Sequence, residues 1–140
     1  RMLLSLAAEK DATLWLMDVK AAFLQAGVDQ EIFVEQPPGF EQLHSDGSKL
    51  HCRLKKSLYG LKQAGHNWNA ELDKWLIGEG FIKSMVDVCC YSWRSEDSFA
   101  LIVIWVDDVI ICGRSGVIVN DIRKRFTRSF EMDDRGALTW

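Results

Sequence analysis

Asp107 and Asp108 stand side by side in an otherwise apolar run, Phe99-Ala-Leu-Ile-Val-Ile-Trp-Val-Asp-Asp-Val-Ile-Ile-Cys112. Such runs end up inside sheets, where an unpaired carboxylate is costly to bury. Two like charges in one place also push at least one pKa up unless something positive neutralises them. A hairpin that presents both at its tip to a divalent cation keeps them ionised, and oxygen ligands favour Mg²⁺ or Mn²⁺. The competing reading is an ordinary Asp-rich turn, whose geometry Asp tolerates well. Asp18 lies near the C-terminal end of Leu14-Trp-Leu-Met-Asp-Val19, beside a turn. Alone it would be taken for the N-cap of the helix that follows. With Asp107 and Asp108 it completes a set of three carboxylates, which two-metal phosphoryl transfer requires.

These residues need elements to position them. Residues 2–10 are good helix formers, and Leu14–Val19 is a strand pattern. Ala21–Ala26 is a short helical turn that Gly27 would close. Glu31–Glu35 is a second strand, stopped by Pro37-Pro38-Gly39. Strict alternation marks Leu50–Leu54 as a half-buried strand. After Tyr59-Gly60, a helix places Leu61, Ala64, Trp68, Leu72, Trp75 and Leu76 on one face and ends at Gly78 and Gly80. Val86–Trp93 and Phe99–Val106 are strands joined by a polar turn, and Val109–Cys112 is a third. A last helix carries Ile118, Ile122 and Phe126 at i, i+4 and i+8, and a strand begins near Trp140. No repeat or linker divides the chain. The expectation is one α+β unit with a mainly antiparallel sheet, its helices packed on one face and the other face free for substrate.

At 140 residues the chain has the length of one domain with enough apolar content for a core. A net charge of −3 argues against gripping nucleic acid by bulk electrostatics, though it leaves room for a local basic groove. Cys52, Cys89, Cys90 and Cys112 have no zinc-ligand spacing and fit reduced thiols in buried strands of an intracellular protein. No apolar stretch is long enough to span a membrane. The basic cluster Arg123, Lys124, Arg125 and Arg128 is expected on a solvated helix face, and His44, His51 and His66 on the surface.

The ordered segments Met17-Asp-Val-Lys-Ala-Ala-Phe-Leu24, Val34-Glu-Gln-Pro-Pro-Gly-Phe40, Cys52-Arg-Leu-Lys-Lys-Ser-Leu-Tyr-Gly-Leu-Lys-Gln-Ala64 and Trp105-Val-Asp-Asp108 resemble the reverse transcriptase of copia-type LTR retrotransposons. Phe130–Leu138 resembles the segment that precedes the last palm strand in that family. The resemblance implies a polymerase palm-like antiparallel sheet with partial fingers and no thumb, so that residues 1–140 form a palm-centred, partial reverse transcriptase domain, a fragment of a Pol polyprotein. Its activity would be RNA-directed DNA synthesis with two Mg²⁺ ions, or Mn²⁺ in their place. Asp18, Asp107 and Asp108 would be the metal-binding carboxylates, and the backbone carbonyl of Val19 a further ligand. Phe23 would hold the sugar-gate position, where a flat ring leaves no room for a ribose hydroxyl. Tyr59 and Gly60 would contact the incoming nucleotide and template, with Lys62 and Trp105 against nucleic acid. A core Phe and a solvated helix-start lysine are the competing readings of Phe23 and Lys62.

The implied partners are an RNA or DNA template with its primer, deoxynucleoside triphosphates, and the rest of a Pol polyprotein with RNase H and integrase. The implied location is a cytoplasmic retrotransposon particle, with a nuclear stage. The chain departs from the family pattern at Trp105, where the family carries Tyr, and at Gly65-His66-Asn67, where it favours Pro and a basic residue. A catalytically inactive remnant and a non-enzymatic nucleic-acid-binding module are the alternative readings.

Overall fold

The computed structural model describes residues 2–138. The elements run in the order α1 (Met2–Glu9), β1 (Thr13–Val19), α2 (Ala22–Gln25), β2 (Phe33–Val34), β3 (Cys52–Arg53), α3 (Ala64–Gly78), β4 (Ile82–Lys83), β5 (Cys90–Arg94), β6 (Phe99–Trp105), β7 (Asp108–Gly113), α4 (Gly116–Ser129) and β8 (Met132–Ala137). Two compact units divide them. Residues 2–22 and 72–138 form one, and residues 23–71 the other.

The first unit holds a six-stranded sheet of order β4-β5-β6-β7-β1-β8, with every neighbouring pair antiparallel. Its register sorts side chains onto two faces, because successive residues of a strand point to opposite sides. Leu14, Leu16 and Asp18 oppose Cys112, Ile110 and Asp108 and share one face. Trp15 and Met17 oppose Ile111 and Val109 on the other. Along β6 the alternation is regular, with Ala100, Ile102 and Ile104 buried, Phe99, Leu101 and Val103 half-buried, and Trp105 exposed at the end.

Helix α1 lays Ala7 and Leu3 against Leu14, Cys112, Leu101 and Ile110. Helix α4 buries Val119, Ile122 and Phe126 and stacks the Arg123 guanidinium 3.6 Å from the centroid of Trp15, so it covers the opposite face. The expectation that helices pack on one face only is therefore corrected. A short apolar N-terminal helix has nowhere to bury Ala7 except against the Leu14–Cys112 end of the second face, and that leaves the Asp18–Asp108 end of this face to the carboxylates. The C-terminal half of α3 buries Leu72 and Leu76, with Trp75 ring-to-ring on Phe126 and Phe130 at 4.5 and 5.2 Å.

Two strand assignments also change. Val86–Cys89 is a loop, because Ser84 Oγ accepts from the backbone N–H groups of Val86 and Asp87 and the Asp87 carboxylate accepts from that of Cys89. Such local side-chain bonds compete with a sheet ladder. Of the four cysteines only Cys112 is fully buried. The segment 130–138, expected to precede the last strand, is itself largely strand β8. The strand expected near Trp140 lies outside the described residues. Among the described residues no helix is long and apolar enough to cross a membrane.

The second unit contains the ribbon β2–β3, in which Phe33 opposes Arg53 and Val34 opposes Cys52. Both strands are shorter than the expected Glu31–Glu35 and Leu50–Leu54.

Candidate active site

Strands β6 and β7 are joined by the two-residue turn Val106-Asp107, with Trp105 opposite Asp108. Val106 has φ +56°, and of the two central residues it alone is positive. That is the sign pattern of a type II′ hairpin turn, which glycine normally starts. A β-branched residue there carries strain of about 1–2 kcal/mol. The strained turn throws Trp105 and Val106 outward, with Trp105 73 % exposed, and leaves Asp107 half-buried and Asp108 exposed.

Asp108 is the direct cross-strand partner of Asp18, and Asp18 is in turn opposite Asp133 of β8. Trp105, Asp108, Asp18 and Asp133 thus occupy one rung across four strands. Asp107 joins through its backbone, its carbonyl accepting from the Val19 N–H at 2.8 Å. Two cations flank the acids. Lys20 Nζ lies 3.1 Å from Asp133 and 3.8 Å from Glu131, and a guanidinium nitrogen of Arg135 lies 3.3 Å from Asp18 Oδ2. The hydrogen bond to Asp133 is the main reason that the Lys20 ammonium is held above its ordinary pKa.

Carboxylate oxygens suit a hard ion, and like charges directly opposite on one rung are destabilising unless a cation lies with them. Asp18 and Asp108 fit on both grounds. Among the described residues, however, no three His, Cys, Asp or Glu side chains converge on one point. Asp107 and Asp108 are consecutive across a turn, and Asp18 already faces Arg135. The arrangement thus brings together Asp18 and Asp108, with Val19 and Asp107 beside them through the backbone.

In the second unit, the Phe23 and Tyr59 rings meet with centroids 4.8 Å apart, and Tyr59 is 60 % exposed. Gly60 has φ +94° in a turn closed by the Leu61 N–H donating to the Leu58 carbonyl, a conformation few other residues would hold. Lys62 is exposed. Among the described residues, Ser57 and Asn67 are the two buried polar ones. Ser57 Oγ donates to the Gly27 carbonyl, while Asn67 Nδ2 donates to Ser57 Oγ and the Asp29 carboxylate. Asn67, one of the departures from the family pattern, thus takes a structural role.

The sequence reading did not single out Asp133, Arg135 or Lys20, and spacing alone carries no signal for them, because their place depends on the register of β8. Two of the four basic residues expected on a solvated face of α4 are engaged within the chain. Arg123 pairs with Asp134, and Arg125 reaches Glu79 at 3.0 Å and Asp121 at 3.2 Å.

The Pol polyprotein from transposon TNT 1-94 of Nicotiana tabacum is 39% identical over 139 residues, which are 97% of this chain and 10% of that protein. The Pol polyprotein from transposon RE1 of Arabidopsis thaliana is 30% identical over 138 residues, 99% of this chain and 9% of its own length. The putative transposon Ty5-1 protein YCL074W of Saccharomyces cerevisiae is 32% identical over 122 residues, covering 87% of this chain and 39% of that one. The chain thus spans about a tenth of the length of the two plant polyproteins. No solved structure matches it. The reverse transcriptase (RNA-dependent DNA polymerase) family matches residues 1–140, and the chain belongs to that family.

Proposed function

We propose that this chain is the palm-centred catalytic portion of an RNA-directed DNA polymerase of a copia-type retrotransposon. A primer 3′-hydroxyl attacks the α-phosphate of a deoxynucleoside triphosphate, the new phosphodiester forms, and pyrophosphate leaves. The observation that carries this reading is the opposition of Asp18 and Asp108 at the open end of the sheet, beside the strained hairpin tip. The match to the reverse transcriptase family along the whole chain supports it.

Asp18, Asp107, Asp108 and the Val19 carbonyl would hold two Mg²⁺ ions, with Mn²⁺ as substitute. Once bound, they would lower the pKa of the attacking hydroxyl and neutralise charge on the triphosphate and leaving group. Phe23 sets a flat ring under the sugar and excludes a 2′-hydroxyl, its own ring braced by Tyr59. Tyr59 and Gly60 receive the nucleotide and template. Lys62 contacts a phosphate, and the exposed Trp105 ring packs near the primer end. The surrounding Pol polyprotein supplies RNase H and integrase, and the element works inside the cell, in a cytoplasmic particle with a nuclear stage.

The test is Mg²⁺-dependent primer extension on an RNA template by the longest reading frame that contains this chain. Asp108→Asn is expected to lower extension by at least about a hundredfold. Extension unchanged by Asp108→Asn removes the carboxylate mechanism. No extension by the wild-type frame favours an inactive remnant, and template binding unaffected by chelation of Mg²⁺ favours a binding module.

A further inference from the structure

Strand β8 pairs with β1 through a register break. Met17 opposes Asp134, but Leu16 opposes Gly136, so Arg135 is an extra residue with no partner across the ladder. A β-bulge of this kind bends its strand and re-aims a side chain. Gly136 follows with φ +95°, and its N–H donates to the Asp134 carboxylate at 3.0 Å, which fixes the kink. The side chain so aimed is Arg135, whose guanidinium lies 3.3 Å from Asp18 Oδ2. Along the same rung, Lys20 neutralises Asp133, whereas among the described residues no cation pairs with Asp108.

We propose that Arg135 is a resident counter-cation of the Asp18 carboxylate, competing with a divalent cation for the same oxygen and screening the Asp18–Asp108 repulsion while the cation is absent. The inference rests on the reading of Asp18 as a cation ligand. The contact suits an exchangeable occupant. It is one nitrogen on one oxygen rather than a bidentate fork, and Arg135 is half-exposed, so it is weak compared with a buried Arg–carboxylate pair. A divalent ion brings twice the charge to an oxygen that water already reaches. The bulge keeps the guanidinium beside the site after displacement, so exchange needs only a side-chain rotation. Arg135 is a positioning residue in this scheme, since it acts through Asp18.

The experiment uses Mn²⁺ alone as the probe. Its binding to the 140-residue chain is titrated by the electron paramagnetic resonance signal of the free ion, for wild type, Arg135→Gln, Asp18→Asn and the double variant. Removing the competing charge is expected to tighten Mn²⁺ binding about three- to fivefold in Arg135→Gln. That gain should vanish when Asp18 is already Asn, because the two substitutions act through one contact. Without metal, Arg135→Gln should melt at a lower temperature than wild type, and Mn²⁺ should close the gap. An unchanged or weaker Kd in Arg135→Gln, or a gain that persists with Asp18→Asn, overturns the competition while leaving the carboxylate site intact. If neither wild type nor Arg135→Gln binds Mn²⁺, or if Asp18→Asn binds it as wild type does, the competition and the proposed metal site fall together.

Discussion

Asn67 is almost wholly buried, and its amide reaches both Ser57 Oγ and the Asp29 carboxylate. Replacing it by Leu would leave the buried Ser57 hydroxyl with one partner fewer, where a lost buried partner costs about 1–3 kcal/mol. Urea unfolding should show Asn67→Leu less stable by roughly that amount, and an unchanged midpoint would mean that water satisfies the loop instead. From sequence the same residue is only the end of the Gly65-His66-Asn67 departure from the family pattern, because a buried hydrogen-bond network leaves no spacing pattern. Asp18, Asp107 and Asp108 are different. An acid in an apolar run is conspicuous, and cross-strand register then places two of the three opposite each other. Arg135 is invisible at this level, since nothing in Asp-Asp-Arg-Gly tells which residue falls out of the ladder.

Strands whose residues alternate against a buried face are legible, and those held by register alone are not. β1, β6 and β7 lie within about a residue of their expected ends, since apolar runs set them. β8 carries Asp133, Asp134 and Gly136, poor strand formers, and exists because β1 offers it a ladder. Conversely, Val86 and Val88 look like strand residues, yet they are 97 % and 63 % exposed in the loop that Ser84 and Asp87 bind. Tertiary pairing overrides propensity in both directions. The hairpin between β6 and β7 is the element where conformation and chemistry meet. Val106→Gly removes the left-handed strain at its tip and should raise stability by about 1 kcal/mol, after allowing for the extra freedom of glycine in the unfolded chain. A fall in the urea midpoint would show that Val106 packing outweighs its backbone strain.

Across the whole chain, net charge is a small −3, so its response to acid depends on particular pairs rather than on bulk repulsion. Asp73 is held below the ordinary carboxylate range by hydrogen bonds from Lys83 and then from the Tyr91 hydroxyl. Burial pushes Asp134 the other way, yet bonds from Trp15 and Arg123 outweigh it and leave it lowered too. Carboxylates depressed on folding stabilise the native state above their unfolded values, and that contribution is lost as pH falls through the folded values. The urea midpoint should therefore drop once the pH passes below about 4, with a shallower drop in Asp73→Asn. An acid limb identical in Asp73→Asn would assign the effect to other carboxylates. The strand order has a consequence for how the molecule comes into being. Within this stretch β1 is made well before β7 and β8, the two strands between which it ends. Leu14-Trp-Leu-Met17 must wait unpaired while the intervening chain is made, and such long-range pairing is slow and prone to aggregation. The carboxylates on β1 and β7 can meet only when that late insertion is complete, so a nascent chain stalled before β7 would carry Asp18 without its partner.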